Sequence, residues 1–123
     1  MANPNIVNVT SIYGNTSYLI PSTTSATAWT ALTPAVGTVN KLNNLVASNV
    51  TGSSVAVTVS VNSAVSGGGT AYRIAYQISV PANASLIIVD KTTAIYVGEA
   101  QSIVVTVGTS NAIELTASYE AIT

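Results

Sequence analysis

Hydrophobic and polar residues alternate with a period of two along most of the chain. Residues 55–62 read VAVTVSVN, so four valines share one face of a strand and small polar residues share the other. Residues 71–80 place their large side chains, from Tyr72 to Val80, on one face, and residues 113–120 alternate in the same way. This alternation is typical of antiparallel strands that bury one face.

Short runs of this kind follow one another, separated by clusters of Gly, Pro, Asn and Ser that indicate turns. The pattern predicts strands at 6–13, 16–20, 28–32, 41–50, 55–61, 71–80, 85–89, 94–97, 103–107 and 112–119. The turns recur every 8 to 15 residues or so, which favours an antiparallel β-sandwich or jelly roll. We predict an all-β fold with one domain over residues 1–123, in which residues 1–14 form an extended N-terminal arm or an edge strand.

Two segments depart from the alternation. Residues 86–89 read LIIV and residues 103–107 read IVVTV, so both faces of these strands are apolar. Such a strand needs cover on both sides. The sequence leaves two sources open, which are a neighbouring subunit or N-terminal and loop residues of the same chain.

Charge is scarce. Three Lys and Arg against four Asp and Glu make up 6% of the 123 residues, and the net charge is −1. Nucleic-acid binding normally needs several clustered cations, so we expect no nucleic-acid partner. Edge strands are usually protected by Lys, Glu or Pro, and a chain with so few charges is expected to associate, with itself or with other proteins.

No window of about 18 residues is continuously apolar, so we expect no membrane-spanning helix. The start, MANPNIVNV, lacks a basic region followed by an apolar segment. We therefore expect the protein to act in the compartment where it is made.

The residues available for chemistry are few. The chain has no Cys and no His, which removes thiolates, the commonest metal ligand and the usual general base. Glu114 and Glu120 lie on one strand face about 20 Å apart, too far for a catalytic pair. Asp90 and Glu99 flank turns, and the four carboxylates are interpreted as solvated charges. We predict no catalytic residue, no metal site and no cofactor.

The residues 66–70, SGGGT, are interpreted as a flexible hairpin loop, because the Lys and helix of a phosphate-binding loop do not follow.

Five residues are candidates for an interface with a partner: Ile6, Val7, Tyr13, Tyr18 and Trp29. The only Trp, Trp29, lies in a segment with weak strand signals. It either anchors the core or fills a pocket on a partner, as Trp often does at interfaces.

The residues 3–14 (NPNIVNVTSIYG), 41–50 (KLNNLVASNV) and 78–86 (ISVPANASL) carry a family resemblance, as do VDK at 89–91, IYVGEAQSI at 95–103 and ASYEAI at 117–122. The sequence resembles small virion structural proteins of tailed bacteriophages, notably phages of cyanobacteria. These are strand and turn patterns, so they indicate a family and no particular site.

The resemblance implies a non-enzymatic subunit of a phage particle, made in the host cytoplasm. The leading expectation is a capsid decoration (cement) protein that bridges capsomers, binds the major capsid protein or other virion proteins, and forms a homo-oligomer, for which a trimer is the first guess. The alternatives are a tail or neck component, a secreted carbohydrate-binding or adhesive β-domain, and, last, an enzyme.

Overall fold

Alternating runs of Val, Ile and Thr pair into two antiparallel sheets that pack face to face. The computed structural model describes residues 4–123, and within this range there are nine strands. They are β1 (Ile12–Leu19), β2 (Thr27–Ala28), β3 (Val39–Asn49), β4 (Val55–Asn62), β5 (Ala71–Val80), β6 (Ser85–Val89), β7 (Ile95–Val97), β8 (Ser102–Val107) and β9 (Ile113–Ile122). The prediction of an all-β sandwich is confirmed, and the jelly-roll assignment stays a prediction.

The strand order leaves both sheets open at their edges. Sheet A has the order β1-β9-β3-β6, and β7 pairs with the other half of β3. Sheet B has the order β2-β8-β4-β5. Because β5 contacts β6, these two edges lie on one side of the sandwich, while β1 and β2 lie on the opposite side.

The core lies between the sheets and is formed by the inward rows of both. Sheet B contributes Val57 and Val59 of β4, and sheet A contributes Leu45 of β3, all fully buried. The remaining members of the cluster are also aliphatic or aromatic: Trp29, Leu32, Leu42, Ala47, Val55, Ala75, Val80, Val89, Val97, Ile103, Val105, Val107, Ala112, Ile113, Leu115 and Ala117.

Two predicted strands differ from the observed ones. The strand predicted at 6–13 is wrong over residues 6–11, which are irregular, and β1 instead runs unbroken through Gly14 and Asn15. Gly14 pairs with Glu120 of β9, so the predicted turn is an ordinary ladder position. The strand predicted at 28–32 contains only the end of β2, because the chain bends into a 3-10 turn at Thr30–Leu32 after Trp29 has entered the core.

Strand β5 buries fewer large side chains than its alternation predicts. Tyr72, Ile74, Tyr76 and Ile78 are exposed, and Ala75 and Val80 are the buried members of the strand. The register between β4 and β5 shifts twice, so β5 carries extra residues that interrupt the alternation. β5 is also the edge strand of sheet B, so no further strand pairs with its outer side.

The two doubly apolar segments have different surroundings. In β8, both faces are enclosed by the chain itself: a methyl group added at Gly67 would lie 3.4 Å from Cγ2 of Val104, so the β4–β5 loop packs on the outer face. For β8, the prediction that a loop of the same chain supplies the cover is therefore confirmed, and the alternative of a neighbouring subunit is wrong. In β6, Ile87 is 62% exposed, and its cover by a neighbouring subunit stays a prediction.

Trp29 closes the β1/β2 side of the sandwich. Its side chain is 1% exposed, its Nε1 donates to Oγ of Ser17 at 3.0 Å, and its backbone N–H donates to the carbonyl of Ile103 at 2.8 Å. Trp29 therefore connects the two sheets, with its indole bonded to β1 of sheet A and its backbone bonded to β8 of sheet B. Of the two alternatives for Trp29, the core role is the observed one.

Glu99 connects the loop between β7 and β8 to the turn that precedes β3. Its Oε2 accepts a hydrogen bond from the backbone N–H of Gly37 at 2.6 Å, and its Oε1 is buried without a hydrogen-bond partner. Gly37 lies in the turn closed by Thr38 N–H and the Ala35 carbonyl, where φ of +77° suits glycine. The interpretation of Glu99 as a solvated charge is wrong, since the residue is buried.

The Ser17–Trp29 hydrogen bond predicts a stability difference within β1. Ser17→Ala removes the acceptor and leaves a buried indole N–H unpaired, so it should lower the free energy of unfolding by about 1–3 kcal/mol. Thr16→Ala, at the exposed neighbouring position, should change it by less than about 0.5 kcal/mol. Urea unfolding followed by Trp fluorescence measures both, and equal effects would contradict the assigned role.

The Glu99–Gly37 hydrogen bond predicts that two substitutions act differently. Glu99→Ala leaves the Gly37 N–H without its acceptor and should lower the free energy of unfolding by about 1–3 kcal/mol. Glu99→Gln keeps a carbonyl acceptor and buries a neutral amide, so it should be at least as stable as the parent protein. Urea unfolding at neutral pH checks this. If Glu99→Gln is as unstable as Glu99→Ala, the negative charge itself is required.

Candidate interaction surfaces

The five candidate interface residues do not form one site. Val7 is 91% exposed and Ile6 is 54% exposed in the N-terminal segment, whereas Tyr13 and Tyr18 are 65% and 75% exposed on β1. Trp29 is buried, so its assignment as an interface residue is corrected: its indole is already enclosed by the core and bonded to Ser17. The interface role of the other four stays a prediction.

The N-terminal segment, residues 4–11, lies at the end of sheet A where β1 begins and β9 ends. The backbone N–H groups of Thr10 and Ser11 both donate to the carbonyl of Thr123, and Val7 N–H is bonded locally, to Oδ1 of Asn5. Pro4 and Ile6 line a cleft of about 230 Å³ together with Val39 and Tyr96. The segment is thus attached to the sandwich at residues 10 and 11, while its apolar residues face solvent or a shallow cleft.

The β1 edge surface consists of Ile12, Tyr13, Thr16 and Tyr18 on the free edge of sheet A. The eight residues of β1 pair with β9 without a register shift and carry no charged side chain. Five of the first six are exposed, from Ile12 to Thr16. This is a long, regular and neutral edge.

The β5/β6 surface consists of Tyr72, Ile74, Tyr76, Ile78 and Ile87 on the opposite side of the sandwich. All five are exposed, although each is large and apolar. The guanidinium of Arg73 lies 5.2 Å from the ring centroid of Tyr76, a cation–π contact. Large apolar side chains left exposed in this number along one side of a small domain are typical of a contact surface for another molecule.

A shallow groove crosses the outer face of sheet B. It has a volume of about 230 Å³ and is lined by Thr24, Ala56, Thr58, Gln77, Thr106, Val107 and Gly108. Gln77 adopts a left-handed backbone conformation with φ of +49°, and its N–H donates to Oγ1 of Thr58. Three threonine hydroxyls and the Gln77 amide thus line a groove next in sequence to the exposed Tyr76.

The loop at residues 63–70 is held in place by a polar network. Gly67 N–H donates to Oγ of Ser102, which in turn donates to the carbonyl of Ala64, and Nδ2 of Asn62 donates to the carbonyl of Gly67. Ser102 is fully buried. The prediction of a hairpin loop is confirmed, since the segment joins β4 to β5, and its flexibility stays a prediction. The loop covers the outer face of β8 at Val104.

The charged side chains form no reactive cluster. Asp90 caps a short 3-10 turn: its Oδ1 accepts hydrogen bonds from the side chain and backbone of Thr92, and those bonds lower the pKa of the carboxyl group. Among residues 4–123, no group of three or more His, Cys, Asp and Glu could hold a metal ion. In the same residues, no helix has the length and apolar character needed to cross a bilayer.

Two features of these surfaces were missed in the sequence. The exposure of the β5 side chains depends on bulges, for which the sequence around Gln77 gives no turn signal. The burial of Glu99 depends on a loop 62 residues away in the chain. The exposed tyrosines of β1, by contrast, follow from an edge strand with aromatic residues on it.

A comparison with known proteins finds no family model that matches the chain. It also finds no significantly similar curated protein. The resemblance to phage structural proteins therefore stays a prediction, and the function is argued from the surfaces described above.

Proposed function

We propose that the protein is a non-enzymatic structural subunit of a phage particle, and specifically a capsid decoration subunit that binds the major capsid protein and bridges capsomers. The observation that carries the proposal is the exposure of large apolar side chains on both sides of a small sandwich whose core is otherwise complete. Such surfaces are unfavourable in a free monomer and become favourable when a partner covers them.

The N-terminal segment is the part proposed to reach the capsid. Val7 and Ile6 are exposed, and the segment is held to the sandwich mainly through Thr10, Ser11 and Thr123. An extended segment with apolar anchors can insert between neighbouring proteins while the folded domain stays unchanged. The β5/β6 surface would then rest on the same or an adjacent capsomer.

The scarcity of charge supports assembly rather than chemistry. Apolar contact and backbone pairing require no catalytic group. The contacts of the charged residues are structural: Asp90 caps a turn, Glu99 connects two loops, and Arg73 packs on Tyr76. A tail or neck component would use the same surfaces. Electron microscopy of particles with and without the protein distinguishes the head from the tail by the position of the additional density.

A carbohydrate-binding or adhesive role is the second candidate. The exposed Tyr72 and Tyr76 lie on the same edge as the groove residue Gln77, and hydroxyl groups line that groove. An aromatic side chain beside hydrogen-bonding groups suits a sugar ring. The groove is smaller than most ligand sites, so it would accept about one sugar unit. A glycan array tests this role directly.

The decoration proposal predicts that particle binding requires the N-terminal segment. Deletion of residues 1–9 removes Ile6 and Val7 and keeps the Ser11–Thr123 pair that starts β1. The truncated protein should retain the β circular dichroism spectrum and fail to sediment with phage particles that lack the protein. Binding at the level of the full chain would contradict the proposal.

A point substitution sharpens this test. Val7→Ser in the full chain should weaken particle binding at least about tenfold, as expected when an apolar anchor at an interface is lost. Val36→Ser is the matched control, because Val36 is equally a solvent-exposed valine but lies in the turn at residues 35–38. Equal affinities of the two variants would exclude Val7 from the contact.

A further inference from the structure

We propose that the protein forms a two-fold dimer in which β1 pairs antiparallel with β1 of a second copy, so that sheet A continues across both molecules. The proposal concerns the protein alone and does not depend on binding to a particle. It favours an even-numbered assembly over the trimer expected from the sequence.

The backbone of β1 has a free row of hydrogen-bonding groups. Ser11 and Thr123 exchange both of their backbone hydrogen bonds, and the pairing of β1 with β9 continues from there without a shift. Hydrogen-bonded pairs therefore fall on the odd-numbered residues of β1. The N–H and C=O groups of Ile12, Gly14, Thr16 and Tyr18 point away from β9, toward the open edge.

The other three edges are less suited to strand pairing. β2 has two residues, and the far edge of sheet A is divided between β6 with five residues and β7 with three. β5 is long, but it is bulged, contains Gln77 in a left-handed conformation and carries Arg73. β1 has eight residues, a regular ladder and no Lys, Glu, Pro or bulge, which are the usual devices that prevent edge pairing.

The free row selects one register. In an antiparallel pair the residues with free backbone groups must face each other. One arrangement uses all four of these residues: Ile12 then lies opposite Tyr18 of the second copy, and Gly14 lies opposite Thr16 of the second copy. The two-fold axis then passes beside Asn15. About eight backbone hydrogen bonds form in this register, and any shift of the strands loses some of them.

The side chains agree with this register. Tyr18 and Ile12 are the two large residues on the outer face of β1, and the register places each directly opposite the other in the second copy, a favourable aromatic and β-branched pair. Tyr13 on the other face lies opposite Ser17 of the second copy. With a tyrosine side chain contributing about 150–250 Å² when enclosed, the dimer buries on the order of 1,000 Å², the lower limit for a specific interface.

Charge does not oppose the pairing. β1 carries no charged side chain, and the one acidic residue of β9 that pairs with it is Glu120, opposite Gly14, whose Oε1 accepts a hydrogen bond from Nδ2 of Asn43. The two Glu120 residues of a dimer are separated by three strand spacings, at least about 14 Å. This exceeds the Debye length of about 8 Å at physiological ionic strength, so their repulsion is screened.

A single cysteine tests the register. The chain has no cysteine, and Asn15→Cys would place two cysteines across the axis as a non-hydrogen-bonded pair, with Cα atoms about 4.5 Å apart, within reach of a disulfide. Tyr13→Cys is the matched control on the same face. Its two copies would lie at least about 13 Å apart along the strand, too far to bridge.

The expected result is a covalent dimer from Asn15→Cys under mild oxidation and a monomer from Tyr13→Cys on denaturing gels, with unchanged circular dichroism in both. Cross-linking of both variants to the same extent, or of neither, would overturn the register. A head-to-tail ring that joins β1 to β6 or β5 would cross-link neither variant.

The association itself is measured by light scattering over a micromolar concentration series. The parent protein should approach twice its 12.4 kDa mass, and Tyr18→Lys should remain monomeric across the series. Tyr76→Lys, an exposed tyrosine on the opposite edge, should dimerise like the parent. A parent protein that stays monomeric, or a loss of association in Tyr76→Lys alone, would overturn the proposal.

Discussion

An open sheet edge exposes backbone groups that must be paired, hydrated or shielded, and this constraint governs the molecule. The two sheets bury most of their facing rows, but they do not close into a barrel, so four edges remain. Trp29 fills the space between the sheets on one side and bonds to both. On the opposite side, β5 and β6 meet with their large side chains exposed.

Each edge is handled by a different physical means. β2 is kept very short, β5 is bent by bulges, and β6 shares the edge of β3 with β7. β1 has none of these features, and we infer that a second copy pairs with it. The scarcity of charge thus has a structural consequence: the chain relies on strand length, bulges and partners where other proteins place lysine and glutamate.

Period-two alternation was enough to predict the fold class and most strands, because each strand with one apolar face specifies its own burial. Val55, Val57 and Val59 are buried as the pattern predicts. The alternation failed as a predictor where tertiary packing outweighs the local strand preference or where a bulge interrupts the strand. Residues 28–32 turn instead of extending, since burial of the Trp29 side chain outweighs a weak strand preference, and the alternation in β5 fails because bulges rotate its side chains relative to the sheet.

The candidate surfaces were predictable only in part. Exposed aromatic residues on an edge strand, such as Tyr13 and Tyr18, follow from the sequence once β1 is recognised as an edge. The cover of β8 by the β4–β5 loop does not follow from the sequence, because it depends on the approach of Gly67 to Val104. It also depends on hydrogen bonds that join Ser102 to Gly67 and to Ala64, which lie 35 and 38 positions earlier in the chain. Long-range contacts of this kind leave no local signal.

The strand order of sheet A also constrains how the molecule is made. β9 lies between β1 and β3 and is the only strand of residues 4–123 that pairs with β1, so neither early strand can complete its intramolecular ladder until residues 113–122 have left the ribosome. Until then, β1 is an unpaired neutral strand in a crowded cell. Folding is therefore expected to be slow, because the pairing is non-local, and the newly made chain is most vulnerable to premature association during that interval.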